Sequence, residues 1–256
     1  MGKRSNWALP YFIFLVLFVA LPLLLIVLYA LRDGSGGFTL SNITRFFSDG
    51  DALSTFAVSI EVAIENTLIC LLLGYPAAYI LANKDLNKSA VTAILFILPM
   101  WVNALMRTLA TAELFNVFGF TLGKGTLIFG MVYDYLPFMI YPIYNVLNNM
   151  DKSYSEAAQD LGATPWQVFW KVTVPLSMPG VSSGILMVFM PTVSTFAISE
   201  FLTNNKIKLF GTIIQENINS SMWNYGAALA FIMLIIIGVS TLFSGDDEKE
   251  AEGGLI

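Results

Sequence analysis

The sequence predicts an all-α integral membrane protein with six transmembrane helices. Three observations lead there. The 256 residues are 56% hydrophobic and only 12% charged, with a mean hydropathy of +0.71. Soluble domains run nearer about 45–50% apolar and about 25% charged. The apolar residues fall into six separate runs, each near the roughly 17–25 residues that a helix needs to cross a bilayer. Chemistry built on histidine or paired cysteines is absent, because the chain has no histidine and one cysteine, Cys70. That nearly excludes a zinc, haem-type or Cys–His site and rules out an intramolecular disulfide. Cys70, inside an apolar run, reads as a small hydrophobe.

In chain order, Lys3 and Arg4 precede the first run, Ala8–Leu31. This run is longer than the core of a secretory signal and lacks a small-residue cleavage site, so it is expected to be retained. The segment Arg32–Ser59 is rich in Gly, Ser, Thr and Asp and reads as an extracytoplasmic loop. Five further spans are expected at Val62–Ala82, Ala90–Met106, Thr126–Leu147, Gly180–Ile198 and Tyr225–Phe243. A second outer segment, Phe201–Asn224, is polar and ends near Trp223. The tail, Gly245–Gly254, is acidic and expected to be disordered. The domain reading is therefore a first helix with its outer loop over 1–59, a five-span core over 60–244, and the tail over 245–256. The net charge of −5 owes much to that tail and indicates no nucleic-acid partner.

Six spans place both termini on one side. Lys3, Arg4, Lys84 and Lys88 argue that this side is the cytoplasm, since basic residues in short loops stay inside. Arg32, Arg45, Lys124, Lys206 and Lys208 would then lie outside. Pro22, Pro76, Pro99, Pro137, Pro142 and Pro191 fall within spans, where proline frees a carbonyl and bends the axis. So many bends suit a moving pathway better than an inert anchor.

The connection Ser153–Pro175 is different in kind: charged, capped, and set between apolar spans. Ser153 and Glu156 have the spacing of a capping box, and Ala157, Ala158, Gln159 and Leu161 are good helix formers. Gly162 sits where a helix commonly stops. Thr164, Pro165 and Gln167 then read as cap, first position and reciprocal cap of a second helix carrying Trp166, Phe169 and Trp170. Pro175 is expected to limit it. This segment, Glu156-Ala157-Ala158, then Gly162, then Val172-x-Val174-Pro175, resembles the EAA loop of bacterial ABC importer permeases. The usual ending is Ile-x-Leu-Pro, so both aliphatic positions depart conservatively. The resemblance implies a type I ABC importer permease fold, with the loop docked on an ATP-hydrolysing subunit. It also implies a second permease, two copies of that ATP-binding subunit, an extracytoplasmic binding protein, and residence in a bacterial inner membrane.

This chain carries no ATPase site of its own. Gly119–Gly125 (GFTLGKG) has three residues, not four, before Gly-Lys and lacks the following Ser or Thr of a phosphate loop. ATP and Mg are therefore expected on the partner, with no cofactor here. For the cargo, ionisable residues in or at the ends of spans matter most, because burying them is expensive. Asp134, between Tyr133 and Tyr135, and Glu200, among aromatics, are the leading candidates; Glu61, Glu65 and Glu113 can sit in headgroups or water, and Arg107 can snorkel or pair with an acid. A carboxylate flanked by tyrosines suits an organic cation, each ring adding about 0.5–2 kcal/mol. Leu73–Tyr79, Pro99-Met100-Trp101-x-Asn103-x-Leu105-x-Arg107 and Leu136–Tyr144 are similar to permeases of the spermidine/putrescine (PotB) type. With the loop, the similarity covers about residues 60–243. It implies a polyamine cargo and a path touching Trp101, Asn103, Tyr133, Asp134, Tyr135 and Glu200. Asp134 stands where that subgroup has an apolar residue. Amino acids, phosphate, sulfate or other organic cations stay open as cargo, and so do a stand-alone secondary transporter and a membrane-embedded aspartyl protease.

Overall fold

A computed structural model describes residues 9–253 apart from 35, 84, 85, 88 and 89. The regular elements among the described residues are all helices, with one isolated bridge between Arg32 and Phe38. Lys3, Arg4, Lys84 and Lys88 lie outside them, as do the last three residues of the tail.

Helix α1, Leu9–Ala30, is the most apolar and is exposed along its central stretch. A π-helical turn over Val16–Ala20 interrupts it. That widening falls where the ring of Pro22 would meet the carbonyl four residues back, so the helix continues past the proline. Helix α2, Ser41–Ser48, is a short surface piece. Helix α3, Gly50–Ala82, is 33 residues long and starts well before the expected Val62. Asp49 supplies the start signal: its carboxylate accepts from the Asp51 and Ala52 N–H groups at 3.2 and 3.1 Å. The Tyr225 hydroxyl adds a third bond at 2.9 Å. These donors, the Ala52 N–H foremost, hold the Asp49 carboxyl below the usual carboxylate range. The stability it contributes is complete above the ordinary carboxylate pKa and is lost as pH falls through the lowered one. Asp49→Ala should cost about 1 kcal/mol in a thermal melt at neutral pH, the usual value of such a cap.

The third expected span is broken. Helix α4, Ala90–Ile97, runs into a 3₁₀ turn at Leu98–Trp101. The chain then turns by 90° into α5, Ala104–Val117. Pro99 and the polar Asn103 explain the break, since Asn103 leaves the helix to cap the next one, accepting from Leu105 and Met106 N–H at 2.9 and 3.3 Å. Helix α6, Lys124–Asn149, and helix α8, Pro165–Ser194, complete the core, with the short α7, Ser153–Asp160, between them. The fifth span thus begins fifteen residues before the expected Gly180 and ends before Ile198. Beyond it come α9, Ala197–Thr203, α10, Phe210–Asn219, and α11, Trp223–Gly253.

Among the described residues, four helices are long and apolar enough to cross a membrane, or five if the bent α4–α5 pair is one span; the apolar part of α11, Trp223–Val239, is shorter. Residues 245–253 continue α11 as helix, where the sequence reading expects disorder. Ala, Glu and Lys there are good helix formers and extend an existing helix without a new nucleus.

Helices α3, α6 and α8 form the central bundle. Its core joins Cys70 and Ala78 of α3, Met139, Ile140 and Ile143 of α6, and Val181 and Val188 of α8. Close approach depends on Gly180: an added Cβ would stand 2.9 Å from the Pro142 carbonyl oxygen and 3.1 Å from Ile143 Cα. Backbone cannot yield as a side-chain tip can, so Gly180→Leu should destabilise the bundle by about 1–3 kcal/mol, read as a lowered melting temperature in detergent.

Candidate functional site

Two ends of the bundle and one buried point in it carry polar structure. At the first end, the tip of α3 and the connection 150–173 enclose a cavity of about 370 Å³ lined by Tyr79, Asn83, Asp151, Glu156 and Phe169, among others. At the other end, Arg45, Lys124, Lys206 and Lys208 line a larger cavity of about 830 Å³, together with Asp49, Asp51, Glu61 and Glu216. Four of the five basic residues expected outside therefore share an end, and it is opposite the loop.

The loop folds much as its residues dictate, with two changes. The first cap comes from Asp151, whose carboxylate accepts from the Ser153 N–H at 2.9 Å, and not from a Ser153–Glu156 box. Ser153 is already the first helical residue, so its hydroxyl cannot serve as the cap. That N–H keeps the exposed Asp151 carboxyl below its ordinary range. Gly162 closes α7 at φ +86°, with its own N–H on Gln159 O and the Ala163 N–H on Ala158 O at 2.8 and 3.0 Å. Thr164 and Gln167 form the expected reciprocal box: Thr164 N–H to Gln167 Oε1 at 2.9 Å, Gln167 N–H to Thr164 Oγ1 at 3.4 Å. Pro165 takes the first helical position.

The second change concerns Pro175. It stops nothing, because a π-helical turn over Phe169–Thr173 makes room for its ring and the helix runs on into α8. The loop's second helix is therefore the first turns of a core span. The loop and the bundle are thus joined by unbroken helix.

The aromatic residues divide by task. Phe169 turns inward and packs edge-on against Tyr79 and Tyr75, with ring centroids at 5.2 and 6.0 Å. The Tyr75 hydroxyl meets Ser177 Oγ at 2.9 Å, tying α3 to α8 at the same level. Trp166 and Trp170 stay 70% and 52% exposed, and Leu161, beside the Gly162 turn, is 90% exposed. Glu156 and Ala157 are exposed as well. Such an apolar face at a polar end marks a contact surface. Leu161 escaped the sequence reading, which treated it only as a helix former; its place just before a helix-ending glycine was the available signal. Phe169→Ala should loosen the loop root by about 1–3 kcal/mol, measured as earlier proteolysis within 153–175 while the remaining core resists.

The buried point lies between α5 and α6. Asp134 does not stand alone as a carboxylate between tyrosines: Arg107 Nε lies 3.3 Å from its Oδ1, with side chains 6% and 2% exposed. Arg107 Nη2 donates to the Asp134 main-chain oxygen at 3.4 Å, and the Thr108 hydroxyl donates to Oδ2 at 3.0 Å. Arg107 also lies over the Tyr133 ring at 5.6 Å. Arg107 thus pairs with an acid, one of the two roles open to it in the sequence; a buried carboxylate without a partner is too costly, and a cation of the chain itself lies beside it. Tyr133 is near this pair, whereas Tyr135 packs into the neighbouring core. Trp101 is 87% exposed at the elbow, Asn103 caps α5, and Glu200 lies in the first turn of α9. Of the six expected path residues, Tyr133 and Asp134 both meet Arg107.

Residues 2–245 match the family described as binding-protein-dependent transport system inner membrane component. The chain belongs to that family. Relatives include the spermidine/putrescine transport system permease protein PotB of Escherichia coli K12, 35% identical over 89% of this chain and 91% of that one. The protein of the same description from Haemophilus influenzae is 32% identical over 89% and 88%. Among solved structures, a bacterial ABC transporter involved in import of the acidic polysaccharide alginate matches with a TM-score of 0.66. It is 20% identical and aligned over 96% of this chain and 95% of that one, a likeness of fold. The chain is therefore an inner-membrane transport component with the permease fold.

At the end opposite the loop, one feature of this family member is a Lys124 ammonium bridging Glu61 and Glu65 at 2.6 and 2.8 Å. The two acids are four residues apart on α3 and so share a face. The bridge is exposed and fixes the start of α6 to α3 with little energy, as surface pairs do.

Proposed function

We propose that this chain is one of two permease subunits of an ATP-driven importer for polyamines, receiving cargo from an extracytoplasmic binding protein. The observation that carries the transport mechanism is the exposed Leu161–Trp166–Trp170 face at the tip of a loop whose root, Phe169, is packed on Tyr75 and Tyr79. A face of this kind needs a partner, and a rooted loop can pass that partner's motion to the core. The partner is a pair of ATP-binding subunits that hold ATP and Mg, and the loop is the EAA coupling loop. Glu156, Ala157 and Ala158 shape its first helix; Gly162 sets its turn.

In this reading the loop and both termini face the cytoplasm. Six spans cross the membrane, counting α4–α5 as one broken span and the apolar part of α11 as the last. The cavity with Glu61, Lys124, Lys206 and Glu216 at the opposite end then faces the binding protein. The polyamine assignment follows the named relatives, and Trp101, Asn103, Tyr133, Asp134, Tyr135 and Glu200 are its candidate contacts.

The test is uptake in cells lacking their own polyamine importers and expressing this permease with its partner subunits. Radiolabelled spermidine should accumulate, putrescine should compete, and amino acids, phosphate and sulfate should not. Uptake blocked by one of those solutes and indifferent to polyamines would assign a different cargo. Uptake without any ATP-binding subunit would point to a secondary transporter.

A further inference from the structure

The Arg107–Asp134 pair is the one ion pair inside the core among the described residues; the others are exposed. It is also a poorly made one. A guanidinium offers five donors in a rigid fork that fits both oxygens of a carboxylate. Here Nε and Nη1 of Arg107, and Oδ1 of Asp134, have no hydrogen-bond partner among the described residues. The guanidinium's recorded hydrogen bond is the 3.4 Å contact from Nη2 to a main-chain oxygen. A buried pair recovers its desolvation cost only when geometry is good and the remaining donors are satisfied. This arrangement holds the two charges together without locking them.

The guanidinium already has a second partner beside the carboxylate. The Tyr133 ring centroid is 5.6 Å from Arg107 Cζ, within cation–π range, and the ring is 45% exposed. Asp134 would keep its bond from the Thr108 hydroxyl if Arg107 left, since that bond uses the other oxygen.

We propose that Arg107 is a displaceable counter-ion for Asp134, exchanged for an ammonium group of the cargo during transport. In the absence of cargo, Arg107 occupies the carboxylate. As cargo arrives, one ammonium takes the carboxylate while the guanidinium stays over Tyr133. One cation replaces another, so the buried carboxylate is never left alone. Arg107 then sets selectivity: a solute must bring enough positive charge to compete with a guanidinium tethered beside the site. Neutral and anionic solutes cannot make the exchange at all. This inference rests on the polyamine reading above.

The test uses the complete transporter, permeases with ATP-binding subunits and binding protein, in proteoliposomes. Initial rates against spermidine and putrescine concentration are compared for wild type, Arg107→Gln, Arg107→Lys, and the double variant Arg107→Gln with Asp134→Asn. Removing the competitor in Arg107→Gln should lower KM by about tenfold, corresponding to about 1.4 kcal/mol of relieved competition. Arg107→Lys should fall between it and wild type. The double variant, with two neutral amides, should assemble and raise KM above wild type. An arginine that only braced the fold would reduce the amount of complex or kcat and would not lower KM. Unchanged or raised KM in an assembled Arg107→Gln transporter would overturn the proposal. Should that variant not assemble, a lowered KM in Arg107→Lys with a raised KM in the double variant supports it, and any other pattern overturns it. A wild-type transporter that moves another solute and no amine would fail at the first step, and would remove the polyamine reading along with this one.

Discussion

Gly162→Val is expected to abolish ATP-driven uptake while leaving the protein inserted in the membrane. Gly162 holds φ +86°, and an added Cβ there meets nothing within 4 Å, so the penalty is one of backbone conformation and not of crowding. A β-branched residue in the left-handed region costs about 1–3 kcal/mol, which the local chain can avoid by opening the turn. Opening it releases the bonds from the Gly162 and Ala163 N–H groups and displaces the exposed Leu161. The helical core lies beyond the Thr164–Gln167 cap and is unaffected. Gly162→Asn should be much milder, because Asn enters the left-handed region more readily. Uptake and ATP hydrolysis measured together separate the two effects. Loss of transport with normal membrane content is the expected result for valine. Normal transport by the valine variant would show that the turn has no part in coupling.

Asp134→Asn should be the most damaging single change in the core. It leaves the Arg107 guanidinium buried without a countercharge, and arginine cannot shed its proton to escape. Breaking a buried pair in this way costs about 3–5 kcal/mol. Arg107→Gln should cost less, since a carboxyl group can take up a proton and Thr108 still bonds it. Replacing both, as Arg107→Met with Asp134→Leu, should restore much of the stability, because a well-packed apolar pair is often as stable as the ions it replaces. Melting temperatures of the three variants in detergent check the order. Small losses for both single variants would mean that the pair contributes little, and equal large losses would contradict the expected difference between its two partners.

Much of the loop was legible because its signals are local. Thr164, Pro165 and Gln167 specify a helix start from neighbours within one turn, and Gly162 specifies the turn before it. Span boundaries were harder. Hydropathy alone could not show that α3 begins at Gly50, because its first turns are polar and the signal was the single cap at Asp49. Nor could it show the 90° break between Trp101 and Ala104, where Asn103 gives up one helix to start another. Pro175 misled for a definite reason: the rule that proline ends a helix assumes α geometry, and a π turn removes the clash. The same device lets α1 pass Pro22. At the buried point, the sequence supplied both Asp134 and Arg107. Their 27-residue separation carries no period that would pair them, so only the packing of α5 on α6 could do so.

Coupling through the loop needs enough energy to shift the permease between two states. Moving such an equilibrium from 1:99 to 99:1 takes about 5.5 kcal/mol of differential binding. Leu161, Trp166 and Trp170 together present enough apolar surface to contribute a substantial part of it, at about 25 cal/mol per Å² buried. The most direct measurement is site-directed cross-linking from the loop. With Cys70→Ser as background and Trp166→Cys as the probe, the assembled transporter is treated with a short bifunctional thiol reagent with and without ATP. The account predicts a cross-link to the ATP-binding subunit whose yield changes when nucleotide is supplied. A probe that reacts only with a membrane-impermeant reagent on the binding-protein side, or that never links to the ATPase, would contradict it.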